Sequence, residues 1–171
     1  MKKVLIVTDM QNAFLTGSLA NPYAQAIVKN VKNKIIEYKA KGYKVFYTRD
    51  THRKDYLSTN EGRHLPIIHC VMGTHDWEIC DELEDNTCWH INKKSFGYPH
   101  WDEWIDEDVE CIEICGTCTS ICVVSNVLIL RSLFREAEII VDASCCACVT
   151  PESHKHALEV MKMCHIKVIG E

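Results

Sequence analysis

With 171 residues, 47% of them apolar, the chain fits one domain, residues 1–171, with a continuous core and no linker. Its 19 Lys and Arg stand against 24 Asp and Glu, so the mild, mixed net charge of −5 offers no basic stripe to a nucleic acid, and no apolar run is long enough to span a bilayer. The 11 cysteines, an odd count without a secretion signal, argue against a disulfide framework and for a reduced, cytoplasmic protein.

The first predicted element is a strand in "KKVLIVTD"; its positive start precedes an apolar run that Asp9 cuts off too early for a signal peptide. Asn21 supplies an N-cap and Pro22 a preset first turn for a helix carrying Ile27, Val31, Ile35 and Tyr38 on one face and stopping at Gly42. "YKVFYTRD" is the second strand. From Arg53 to about Cys80 the chain is irregular over a length that, inside a compact domain, usually carries a site. "TCWHINK" and "ECIEICG" are the third and fourth strands, separated by the acidic "WDEWIDEDVE", read as an exposed helix end and turn.

A helix is predicted from about Thr119 to Glu136, and "AEIIVDA" is the fifth strand. "CCAC", containing Cys145, Cys146 and Cys148, reads as packing or loop after that strand, with redox sensing as the lesser alternative. Thr150 caps a last helix from Pro151 to about Met163, whose His154 and His156 are expected to be solvated, and "HIKVIG" is the sixth strand. The alternation of β-rich runs with helical periods predicts an α/β doubly wound sandwich around a six-stranded, mostly parallel sheet in the order 3-2-1-4-5-6.

Ligands of such sheets bind beyond the carboxyl ends of the strands. There the first strand delivers Asp9, the second Asp50 with His52 beyond it, the third Lys93, and the fourth runs through Gly116 into "CGTCTSIC" at 115–122. As an iron–sulfur cradle the C-x2-C-x3-C pattern lacks a fourth ligand and the usual spacing. Cys115 and Cys118 read as small core residues. Cys122 differs, because Gly116 makes a turn and Thr119 and Ser120 place the thiol in the first turn of a helix. Its free N–H groups and dipole would favour a thiolate and hold an oxyanion. A thiol nucleophile, a carboxylate to move protons and a lysine to balance charge are what hydrolysis through a thioester requires.

"GTCTSICV" resembles the G-x-x-T-x-x-C-V motif of the isochorismatase-like cysteine hydrolases, "VTDMQNAF" their D-x-Q-x-x-F segment and "INKKSFG" their lysine strand end, in the family's order and over most of the chain. The resemblance implies a triad of Cys122 as nucleophile, Asp9 as acid/base and Lys93, chosen over Lys94 because it directly follows the strand and stands three positions before Phe96. It further implies a non-proline cis peptide between Thr117 and Cys118 that aims the Cys118 amide, with that of Cys122, at an oxyanion. Phe14 would wall the pocket or belong only to the core. Association into a dimer or tetramer is expected on the same ground.

"DTH" at 50–52 places a carboxylate and an imidazole on one side of an extended segment, and His69 follows in "PIIHCVMGT". Asp50, His52 and His69 suit zinc or another divalent ion with open positions, whereas polar loop residues are the plainer reading. The resemblance to nicotinamidases, the best-known amidases of this group, implies a metal that anchors the substrate ring and no organic cofactor. The chain departs from them in reading Thr51 where they have tryptophan, and "RKDYL" where they carry a further histidine. The leading expectation is hydrolysis of a small carboxamide, with nicotinamide to nicotinate and ammonia as the example. Its rivals are a metal-independent hydrolase of the same family acting on another amide or on isochorismate, and a noncatalytic thiol-rich metal-binding protein.

Overall fold

The structure, a computed structural model, describes residues 2–171. In β1 (Lys3–Thr8) every residue from Val4 to Thr8 is buried, which is what a strand covered on both faces requires. The short α1 (Asn12–Leu15) leads into α2 (Pro22–Ala40), where the Asn21 side chain accepts from the Tyr23 N–H at 2.8 Å, as the cap reading expects. Ile27, Val31, Ile35 and Tyr38 form its buried stripe. β2 (Lys44–Asp50), α3 (Asn60–His64), β3 (Trp89–Lys93), β4 (Cys111–Thr117), α4 (Val124–Leu133), β5 (Glu138–Ala147), α5 (Pro151–Met163) and β6 (Lys167–Ile169) complete the chain.

All strand pairings are parallel and the order is β3-β2-β1-β4-β5-β6, as expected from the sequence. The order reverses between β1 and β4, so right-handed crossovers put α2 on one face and α4 and α5 on the other. Among the described residues no helix is long and apolar enough to cross a membrane.

Three elements differ from the expectation. The fifth strand runs on through Ala147, so Cys145 and Cys146 are buried strand residues rather than loop. It does so across a bulge: Ile114 faces Val141 but Gly116 faces Cys146, so two steps along β4 match five along β5. Asp142 closes the bulge by accepting from the Ser144 N–H and hydroxyl at 3.0 and 2.7 Å. The helix predicted from Thr119 to Glu136 is regular only from Val124 to Leu133. The segment "WDEWIDEDVE" exposes its acids but buries Trp101, Ile105 and Val109 in the core, Trp101 edge-on to Phe46.

Candidate active site

Register brings the strand ends together. Asp50 of β2 faces Lys93 of β3, and Thr8 of β1 faces Gly116 of β4. Gly116 has φ +114°, and a Cβ there would meet the Thr8 carbonyl oxygen at 2.1 Å, so the close approach of β4 to β1 admits no side chain. Asp9, just past β1, has φ +49°, which costs a non-glycine residue about 1–3 kcal/mol. Thr48 holds it, its carbonyl accepting from the Asp9 N–H at 3.2 Å and its hydroxyl donating to Asp9 Oδ1 at 2.6 Å.

Lys93 is only 1% exposed, far from the solvated lysine it could have been, while Lys94 points to solvent. Its Nζ lies 2.7 Å from Asp9 Oδ2, 3.5 Å from Cys122 Sγ and 3.6 Å from Asp50 Oδ1. Burial alone would lower the lysine's pKa, but Asp9, Cys122 and Asp50 hold it raised and the ammonium charged.

A cis peptide joins Thr117 to Cys118. Thr119–Val123 then form a wide helical turn, closed by the Val123 N–H donating to the Cys118 carbonyl at 3.1 Å, before α4 begins. Cys122 sits in this turn, 7% exposed. One turn on, the buried Asn126 donates to the Cys122 carbonyl at 2.8 Å and accepts from the Tyr98 N–H and the Trp101 indole, which ties the Cys122 turn to the segment after Lys93.

The helix-start argument for a thiolate does not survive the closure of the site. Burial pushes the Cys122 thiol well above its ordinary value against the pull of Lys93, and Asp9 adds to the rise. Burial likewise raises Asp9 against Lys93. Burial thus works against a resting thiolate and shifts the neighbouring Asp9 carboxylate in the same upward direction.

The irregular stretch after β2 folds back on its start. His52 and Val71 form an isolated parallel bridge, with the His52 N–H donating to the Cys70 carbonyl at 2.9 Å and the Met72 N–H to the His52 carbonyl at 3.0 Å. This brings His69 against His52, with ring centroids 4.7 Å apart. Gln11 donates to the Asp50 carbonyl at 2.9 Å and accepts its N–H at 2.8 Å, fixing the carboxylate's backbone.

Asp50, His52 and His69 thus meet, and Glu61 of α3 joins them: one donor atom from each lies within 4.8 Å of the others. His69 Nδ1 donates to the Ile67 carbonyl at 2.7 Å, leaving Nε2 free to ligate. Burial alone would raise Asp50, yet His52, His69 and Lys93 hold its carboxylate below the usual range. Among the described residues, Asp50 Oδ1 is buried with no hydrogen-bond partner. Two imidazoles and two carboxylates, one of them with an oxygen that makes no hydrogen bond and has the Lys93 ammonium at 3.6 Å, fit a divalent cation of the zinc type. Glu61 was not singled out from sequence, because its place in "NEGRH" marks only a short solvated helix.

Between the two halves lies a cavity of about 280 Å³ with Cys122 and Cys118 on one wall, Asp50, Glu61 and His69 on another, and Phe14, Leu65, Phe96, Ile121 and Val149 as apolar sides. Phe14 is accordingly a wall, half-buried, its ring edge-on to His69 with centroids 6.1 Å apart. Thr117 lines the same cavity. His154 is half-buried rather than solvated, its Nδ1 2.8 Å from the Thr119 hydroxyl in the Cys122 turn, while His156 is exposed.

The fold has relatives. Among solved structures, the pyrazinamidase of Pyrococcus horikoshii, determined in complex with zinc, is 27% identical, with all of both chains covered and a TM-score of 0.87. The nicotinamidase of Bacillus subtilis is 21% identical over 99% of each chain (TM-score 0.86), and the N-carbamoylsarcosine amidase of Thermoplasma acidophilum 23% identical over 99% of this chain and 96% of its own (TM-score 0.80); these two likenesses speak to the fold alone. No curated protein matches the chain. The model of the isochorismatase domain matches residues 3–170, nearly the whole length, and the chain belongs to the isochorismatase family of hydrolases.

Proposed function

We propose that the protein is a cysteine-dependent amidohydrolase that cleaves a small planar carboxamide through a thioester, nicotinamide to nicotinate and ammonia being the foremost candidate. The observation that carries the reading is the buried Lys93 ammonium, within 2.7 Å of Asp9 and 3.5 Å of Cys122. Those three groups are what an amide bond demands: a sulfur nucleophile, a proton carrier and a fixed counter-charge.

Asp9 takes the Cys122 proton as the sulfur attacks the carbonyl carbon, and Lys93 keeps the pair electrically balanced. The N–H groups of Cys118 and Cys122 receive the developing oxyanion. Asp9 returns the proton to the nitrogen, the C–N bond breaks and ammonia leaves. Asp9 then deprotonates a water that attacks the thioester, releasing the carboxylic acid and restoring the thiol. Asp50, His52, Glu61 and His69 would hold a divalent ion, which supplies a Lewis-acid contact for a ring nitrogen and so presents the carboxamide to Cys122. The donor set contains no cysteine, which favours this reading over a thiol-rich metal-binding protein.

A panel of small amides assayed for ammonia release, with and without chelator, tests the proposal. Release from an aromatic carboxamide, lost on chelation and restored by zinc, is the expected result. No release from any amide by a protein loaded with metal would refute it.

A further inference from the structure

We propose that Cys118 and Cys148 form a reversible dithiol–disulfide site in the wall of the active-site cavity, oxidised by a peroxide. The backbone places them side by side. β4 and β5 are in register at Thr117 and Ala147, so the next residue of each strand is Cys118 and Cys148, and their sulfurs lie 2.6 Å apart. The two belong to different elements 30 residues apart in sequence, and it is the bulge in β5 that carries Cys148 to this position. Cys115 and Cys146, by contrast, are buried in the strands themselves.

Access and chemistry agree with the placement. Cys118 is half-buried and lines the cavity together with Val149, so a molecule the size of peroxide reaches its sulfur by the substrate's own route, while Cys148 lies buried directly behind it. Cys148 Sγ shares hydrogen bonds with Cys118 Sγ and, at 2.9 Å, with the Ser120 hydroxyl, either atom able to donate. These contacts pull its pKa down to about 4 against the effect of burial, so the pair holds one proton between its two sulfurs. Burial shifts the Cys122 thiol the other way, upward.

In the oxidation, the proton the pair retains rests on Cys148, and the Cys118 sulfur, as thiolate, attacks one peroxide oxygen; the O–O bond breaks, leaving a sulfenic acid and hydroxide, which becomes water on protonation. The Cys148 thiol then attacks the sulfenic sulfur; the S–S bond forms, the S–O bond breaks and a second water leaves with the thiol proton. Two thiols lose two hydrogens, the peroxide is reduced to two waters, and a dithiol reductant reverses the change.

The test uses the full chain, reduced and then given one equivalent of hydrogen peroxide, alkylated under denaturing conditions and mapped by mass spectrometry without reductant. The expected map joins the Cys118 peptide to the Cys148 peptide, with two of the 11 thiols lost, Cys122 still alkylated, and both thiols regained after dithiothreitol. In Cys148→Ser the cross-link disappears and oxidised Cys122 increases at the same dose. Peroxide consumed at Cys122 or at another cysteine, with Cys118 and Cys148 both still alkylated, would overturn the proposal, as would a different pairing. The wild-type map decides the question whether or not the variant folds.

Discussion

Asp50 and Lys93 stand opposite one another in the β2–β3 register, and their side chains meet at the strand ends, Lys93 Nζ lying 3.6 Å from Asp50 Oδ1. One buried ammonium thus serves both the thiol half of the cavity and its donor cluster. Lys93→Met keeps much of the volume and removes the charge, leaving two buried carboxylates without their cation. Breaking a buried ion pair costs about 3–5 kcal/mol. The variant is expected to lose that much stability in urea denaturation and to show no turnover. A loss below about 1 kcal/mol would mean that Asp9 and Asp50 find other partners.

Cys122→Ser is expected to abolish ammonia release while changing stability by no more than about 1 kcal/mol, since a hydroxyl replaces a thiol in a site that already offers hydrogen-bond partners. The alcohol's far higher pKa puts it beyond the reach of Asp9. Acid quenching of the wild type during turnover should place the acyl group on the peptide containing Cys122; an acyl group on Cys118 would reassign the nucleophile.

Glu61 is the donor that distinguishes this cluster from a three-residue set. Disturbing even a ligand's hydrogen-bond partner costs a metal site about 10–100-fold in affinity. Glu61→Ala is expected to weaken zinc at least that much in competition with a chromophoric chelator, and His69→Ala likewise. Unchanged affinity in Glu61→Ala would remove the carboxylate from the site.

Gly116→Ala places a methyl group 2.1 Å from the Thr8 carbonyl oxygen, at a φ that L side chains rarely adopt. The strands must part or the turn must shift, at an expected cost of at least about 2 kcal/mol. Thermal unfolding measures it; a midpoint equal to that of the wild type would mean that the strand end yields.

The sheet and its ends were legible because each strand is a short apolar run closed by a polar residue, and because Asn21 and Thr150 mark helix starts that the structure confirms through bonds to Tyr23 and Ser153. Asp9, Lys93 and Cys122 could be named one by one since each ends or follows such a run. Glu61 could not, because it approaches Asp50 only through the fold-back of a 20-residue-scale loop onto His52, a long-range event with no local signature. The pull toward a thiolate was overrated for a related reason: a helix start is visible in sequence, whereas the burial that opposes it exists only in the folded chain. Small cysteines after "AEIIVDA" hid the continuation of β5 in the same way, since nothing in "CCAC" shows that β4 still runs beside it.

The bulge in β5 has an evolutionary side. Side chains alternate along an extended segment, so adding or deleting one residue between Val141 and Cys146 would exchange the directions of Cys148 and Val149. A hydrocarbon wall would then stand where the sulfur is, and the sulfur where the wall is. The change would fall where β4 and β5 already depart from regular pairing, so it would shift the end of β5 and leave β1, β2 and β3 as they are. Descendants of this chain could thus trade oxidant chemistry for a different substrate contour by a single-codon insertion or deletion.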